Sequence, residues 1–371
     1  MENNKQNWDY MSIDRPSRLL EMLRKENIKA AIVHKQENVR YLSGYRGEGV
    51  LVLTEDGKRV IVTDFRYTEQ AEKEAPSFSV VMSKATQSYD EVALDLLGEA
   101  GESRLLAFED DTITVAQMKK LEEKANGRIF LPMNKKIEKL REIKDDGETA
   151  AIEKACEIAC QAFESILPKI QPGKTEREIA WILECAMHDF GAQKPSFSTI
   201  IASGSNGSLP HAIPSDKKLE RGEFVTLDFG CVYDGYCSDC TRTVALGEVS
   251  EEQLKIYNTV LTAQLASLDA VRDGAGAKAV DKIARDIINE AGYEGRFGHG
   301  LGHSLGLEIH ENPRFSQSME DSRTVSAGML MTVEPGIYIP GKWGVRIEDT
   351  VLVTKNGSKR LTHTTKELIV L

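Results

Sequence analysis

The chain has 371 residues, 41% of them hydrophobic and 28% charged, with a formal net charge of -11. That length exceeds one ordinary core and points to two domains, and the acidic balance disfavours nucleic acid or an anionic membrane as a partner. No segment reaches the apolar length of a membrane span, and the first 20 residues lack the apolar stretch of an export leader, so a cytoplasmic protein is expected.

From the N-terminus, β-rich runs at 30–34, 50–54, 60–63, 79–82 and 105–108 alternate with amphipathic stretches at 16–26, 65–74 and 89–97, the pattern of a small α/β domain. Glu55-Asp56-Gly57 is a hairpin turn signal, and His34 is the one imidazole of this region. A lysine-rich bridge over 131–142 leads into a different pattern, which places the domains at 1–132 and 133–371. Beyond it the order helix, helix, hairpin occurs twice. Helices at 146–166 and 175–190 precede strands at 223–231 and 236–246; helices at 250–271 and 275–291 precede strands at 329–334 and 344–353. Thr175 with Glu178 and Ser250 with Gln253 have capping-box spacing. Two such halves imply a pseudo-symmetric sheet with helices on one side and the acids of each hairpin meeting in the middle.

Those acids interrupt apolar or β-prone segments, where an ionised carboxylate is costly unless paired. Asp228 lies in Thr-Leu-Asp-Phe-Gly, Asp239 in Cys-Ser-Asp-Cys-Thr, Glu334 in Thr-Val-Glu-Pro-Gly and Glu348 in Arg-Ile-Glu-Asp-Thr, while His303 lies in Gly-His-Gly-Leu-Gly-His-Ser-Leu-Gly. A hairpin folding over Tyr233-Asp234-Gly235 puts Asp228 and Asp239 on one face, directly or diagonally opposed. Arg346, Glu348 and Thr350 share a face by strand alternation. Four carboxylates and one neutral imidazole suit two hard or borderline divalent cations. His211, in a loop flanked by prolines, His310 and Arg314 are candidates for binding a peptide carbonyl and a carboxylate.

These motifs resemble the creatinase and methionine aminopeptidase superfamily, the pita-bread fold, and within it the Xaa-Pro peptidases: prolidase and aminopeptidase P. The resemblance covers nearly the whole chain and includes a creatinase-like α/β N-terminal domain, so the expected class is α/β (α+β). It implies that Asp228 binds one metal, that Asp239 and Glu348 bridge two, and that His303 and Glu334 complete the second site. It further implies that a water or hydroxide bridging the metals attacks the carbonyl before proline, with Glu334 moving a proton. His211 and His310 would contact substrate and stabilise the tetrahedral intermediate, and Arg346 would hold the carboxylates from behind. Manganese is the first expected cofactor, with cobalt or zinc as alternatives, and a homodimer the expected assembly. The expected substrate is a proline-containing di- or oligopeptide, and Arg314 favours a dipeptidase over an aminopeptidase P because it can hold a dipeptide's free carboxylate. A non-catalytic peptidase-like interaction protein is the alternative of a different class; such relatives lose ligands, and all five are present here. Methionine aminopeptidase shares the metal site without the extra N-terminal domain.

Other motifs carry less. Gly302-His303-Ser304-Leu305-Gly306, with Asp349 and His363 following, matches a serine-hydrolase elbow, but lacks the apolar strand before it and the helix after it. Pro172-Gly173-Lys174-Thr175 imitates a P-loop end but has Pro168 where the first glycine belongs. His310-Glu311 lacks the second zincin histidine at 314, and the glycines at 298–302 lack the strand–helix frame of a dinucleotide site. The six cysteines read as free thiols. Cys237 and Cys240 sit at i and i+3 of a strand, facing opposite sides, with no second pair to complete a zinc site.

Overall fold

The computed structural model describes residues 14–98 and 104–371; most of the segment in which no export leader is expected lies outside them. The described residues form two compact units that divide between Arg141 and Glu142, nine positions past the 132/133 boundary expected from the sequence. The lysine-rich stretch is not a linker. Lys136–Arg141 is a helix whose Ile137 and Arg141 are buried, with Arg141 Nη1 donating to Asn38 Oδ1 at 2.7 Å.

In the first unit a six-stranded mixed sheet runs in the order Ser79–Met82, Arg59–Thr63, Val50–Thr54, Ala30–Val33, Leu105–Phe108, Ile129–Pro132. The two central strands, Ala-Ala-Ile-Val and Val-Leu-Val-Leu-Thr, are buried along their whole length, as uninterrupted apolar runs must be when both sheet faces are covered. The Glu55-Asp56-Gly57 turn joins Val50–Thr54 to Arg59–Thr63 as an antiparallel pair. The sequence reading missed the helices Gln36–Ser43 and Val115–Glu123 and the strand Ile129–Pro132. For the second helix a signal existed: Thr114 and Gln117 form a complete capping box.

In the second unit the four expected helices form as Asp146–Ile166, Glu176–Asp189, Glu251–Ala270 and Ala277–Glu290, and both expected capping boxes close. Each helix pair covers one hairpin. Ile158, Phe163, Ile179 and Leu183 pack on Val225, Leu227 and Phe229, with Phe163 and Phe229 stacked at 5.4 Å. Val260, Val280 and Ile288 pack with Met331, Val333, Val345 and Ile347. Strand alternation then turns Thr226 and Asp228, or Thr332 and Glu334, to the opposite face. All six cysteines are free. Among the described residues no helix is long and apolar enough to cross a membrane.

Candidate metal centre

Glu223–Phe229 pairs antiparallel with Cys240–Leu246 and sets Thr241 directly opposite Asp228. Of the two arrangements the turn allows, the diagonal one forms, with Asp239 one pleat away on the same face. The second hairpin is interrupted once in each strand. Leu330–Val333 pairs with Asp349–Thr354 and Gly336–Ile339 with Trp343–Arg346, leaving Glu334-Pro335 and Ile347-Glu348 in the break. The two hairpins abut through Glu348 N donating to Thr241 O at 3.1 Å and Thr243 Oγ1 donating to Arg346 O at 3.0 Å. This junction brings the acids of both halves together. Oxygens of Asp228, Asp239 and Glu348 lie within 4.8 Å of one another.

His303 arrives from the glycine-rich segment. Its strand, Gly302–Ser304, lies against Leu330–Val333 so closely that a Cβ on Gly302 would sit 2.0 Å from Thr332 O; only glycine fits there. His303 N accordingly bonds to Thr332 Oγ1 at 2.9 Å. Ser304 O lies 3.1 Å from His303 Nδ1 and, as a carbonyl, can only accept, so Nδ1 carries the proton. The Nε2 lone pair is left 3.5 Å from both Asp239 Oδ2 and Glu334 Oε1. Burial, followed by the neighbouring His310, pushes the His303 imidazole down to about 3, so these are contacts of a neutral ring and not ion pairs.

Behind the acids, Arg346 is buried and spreads its guanidinium over the cluster. Nη2 donates to Asp228 Oδ2 at 2.7 Å, Nε to Thr241 Oγ1 at 3.1 Å and Nη1 to Tyr338 OH at 2.9 Å. Thr241 Oγ1 donates to Glu348 Oε2 at 2.7 Å, and because the Gly300 carbonyl 2.8 Å from His299 Nδ1 can only accept, Tyr338 OH donates to His299 Nε2 at 2.8 Å. The Arg346 charge alone does not offset four carboxylates. Burial first, then Glu348, Asp228 and Glu334, raises Asp239 well above the carboxylate range. Burial raises Glu334 to about 8, with Arg346 pulling it down and Asp228 pushing it up, and burial with Glu334 and Asp228 raises Glu348.

Two buried oxygens, Asp228 Oδ1 and Glu348 Oε1, have no hydrogen-bond partner, which ordinarily costs a carboxylate several kcal/mol of lost solvation. Acids crowded with unused lone pairs, beside one neutral imidazole, are a donor set that fits divalent cations of the hard or borderline kind.

The acids line a cleft of about 550 Å³ together with His303, Arg346 and the three substrate candidates, His211, His310 and Arg314. These last three are exposed. Arg314 is the cross-strand partner of His303, and the His303 and His310 rings meet edge to face at 4.5 Å. The sequence reading passed over His299 and Tyr338, although the i, i+4 spacing of His299 and His303 was visible. It also missed Thr241, Thr332 and a buried ion pair, Lys144 Nζ to Glu311 Oε2 at 3.1 Å. Ser304, to which Lys144 donates at 3.0 Å, has no exposed surface, and Asp349 is bound to Arg242 at 2.8 Å, so the serine-hydrolase pattern has no accessible nucleophile and no free triad acid.

Residues 150–355 match the metallopeptidase family M24, and residues 15–143 match the creatinase/prolidase N-terminal domain. The chain is 42% identical to the Xaa-Pro dipeptidase of Pyrococcus furiosus over 96% of its own length and 99% of that protein. Among solved structures, the Xaa-Pro dipeptidase from Bacillus anthracis superposes with a TM-score of 0.90 at 42% identity, covering 96% of this chain and 99% of that one. The X-Pro aminopeptidase from Thermotoga maritima gives 0.87 at 34% identity, covering 97% and 100%. The family and fold read from the motifs are thereby borne out: the chain belongs to metallopeptidase family M24, and it is a metal-dependent peptidase with a creatinase/prolidase-type domain ahead of its catalytic domain.

Proposed function

We propose that this enzyme hydrolyses the Xaa-Pro bond, preferentially in dipeptides, and that Asp228, Asp239, His303, Glu334 and Glu348 hold two divalent cations. The observation that carries the reading is the convergence of these five side chains, with two orphaned carboxylate oxygens, in one cleft that also contains Arg314. When bound, the cations supply the charge that makes a water nucleophilic near neutral pH and polarises the scissile carbonyl. Oxygen donors dominate the set, which supports manganese first and cobalt or zinc after it. The family resemblance further supports a homodimer. Six free thiols fit a reducing compartment such as the cytoplasm.

The protein's own groups divide the remaining work. Asp228 is oriented by Arg346, and Glu348 by the Thr241 hydroxyl. Glu334, accepting from Thr332 Oγ1 at 3.3 Å, is the group that takes and returns a proton as the peptide nitrogen leaves. Although His310 keeps an exposed face, partial desolvation within the cleft and then the Arg314 charge hold it below its ordinary value, so it is a neutral donor at working pH. With His211 it hydrogen-bonds the oxygen on which negative charge develops. Arg314 offers a fork to the free carboxylate of a dipeptide.

The test compares an Xaa-Pro dipeptide with an Xaa-Pro-Xaa tripeptide, using chelated protein with and without added manganese. Metal-dependent cleavage of the dipeptide is expected to dominate. Replacing Arg314 with alanine is expected to reduce kcat/KM for the dipeptide about 10- to 100-fold, the value of a charge-assisted pair of hydrogen bonds, and to affect the tripeptide far less. Equal losses on both substrates remove Arg314 as the carboxylate anchor. Preference of the unmodified enzyme for the tripeptide makes it an aminopeptidase P.

A further inference from the structure

Glu176 is a carboxylate with no exposed surface that none of the chemistry above uses. It opens the helix Glu176–Asp189, and its six side-chain hydrogen bonds all go to the segment carrying His211. Oε1 accepts from Ser203 N at 2.7 Å, Ser203 Oγ at 2.9 Å and Asn206 Nδ2 at 3.1 Å. Oε2 accepts from Ser215 N at 3.1 Å, Ser215 Oγ at 2.7 Å and Asn206 Nδ2 at 3.0 Å. One carboxylate therefore ties residue 203 to residue 215 and closes the intervening loop at its base.

Two further contacts carry that closure to the site. A Cβ on Gly344 would lie 2.0 Å from Gly207 O, so the loop rests backbone to backbone on the strand Trp343–Arg346. Arg346 Nη1 then donates to Pro210 O at 3.3 Å, the carbonyl immediately before His211, while Nη2 of the same guanidinium holds Asp228. We propose that Glu176 is a positioning residue: it staples the 203–215 loop so that Pro210 meets Arg346 and His211 is held against the substrate beside the carboxylate cluster. The proposal rests on the reading of His211 as a substrate contact.

Glu176→Gln is the test, in the full-length, metal-loaded enzyme. The six bonds come from five donor atoms, and each carboxylate oxygen takes a backbone N–H and the Asn206 amide, which can only donate, so an amide NH2 opens one end of the staple whichever way it lies. Expected is a fall of about 10- to 100-fold in kcat/KM for an Xaa-Pro dipeptide, the scale of a misplaced contact. In a His211→Ala background the same change is expected to cost less than about 2-fold, and in an Arg314→Ala background the full loss is expected to persist. A merely structural role lowers activity by the same factor in all three backgrounds, and that result overturns the proposal. Hydrogen exchange needs no substrate and separates this idea from the Xaa-Pro reading. Amides of 204–214 are expected to exchange faster in Glu176→Gln while those of 223–229 do not, and unchanged exchange of 204–214 overturns the staple. Should Glu176→Gln not fold, Ser215→Ala removes the 2.7 Å bond to Glu176 together with the hydroxyl's contacts from Asn206 Nδ2 at 3.3 Å and Lys217 N at 3.1 Å, leaves the Ser215 N bond, and is read in the same way, with an expected loss of about 3- to 10-fold.

Discussion

Replacing Asp239 with asparagine is expected to lower turnover by at least about a thousandfold while the chelated protein melts no lower than the parent. The loss corresponds to roughly 4 kcal/mol of transition-state stabilisation, within what a correctly charged metal site supplies. Asparagine has the shape of aspartate but offers one neutral oxygen where a bridging carboxylate offers two charged ones. The unchanged stability has a separate cause. Asp239 is 5% exposed, and its contact with the fold is made by its backbone carbonyl, which accepts from Thr350 Oγ1 at 2.8 Å; asparagine keeps that bond. Its carboxylate stands among Glu348, Asp228 and Glu334, whose charges, after burial, oppose its ionisation. Asparagine cannot ionise, so the substitution removes the cost of keeping this carboxyl protonated in the cation-free fold. Turnover and thermal unfolding, each with and without chelator, check both halves. Metal-stimulated activity within tenfold of the parent would take Asp239 out of the site.

What the sequence disclosed follows from which interactions are local. Helix limits near Asp146–Ile166 and Glu251–Ala270 were legible because caps and 3.6-residue periodicity lie within a few positions of the residues they govern. Asp228 stood out because Leu227 and Phe229 flank it in an apolar, β-prone segment, where an ionised carboxylate is costly unless something pairs with it. The partners of these acids were illegible. Arg346 and Asp228 are 118 positions apart, and Thr241 and Glu348 are 107 apart, so only the abutting of two hairpins reveals them. Glu176 and Lys144 look like ordinary surface charges at helix starts, and only packing shows that each is a buried clamp on a loop. The 131–142 stretch misled for the opposite reason. Its lysines read as a bridge between two patterns, while Ile137 and Arg141, the residues that anchor it, are a minority of the segment.

The difference in melting temperature between metal-loaded and chelated enzyme is expected to widen as pH rises from 6.5 to 8.5. With no cation bound, burial raises Asp239, Glu334 and Glu348, Glu334 to about 8, whereas the unfolded chain's carboxylates ionise at roughly 4. The folded state then binds more protons than the unfolded state across this range, and its stability falls as pH rises. Cations bind the ionised carboxylates, so loading displaces those protons and becomes more favourable over the same range. The histidines act in another window. His303 and His299 are lowered to about 3 and about 4, chiefly by burial, so they destabilise the folded chain only below the ordinary histidine value of roughly 6.5. Starting at pH 6.5 largely excludes them, and comparing loaded with chelated protein at each pH cancels titrations remote from the site. Calorimetry at fixed manganese excess provides the measurement, with proton release on metal binding as its independent counterpart. A difference that is flat or narrows with pH would mean that the clustered carboxylates are already ionised without a cation, and that something other than metal balances their charge.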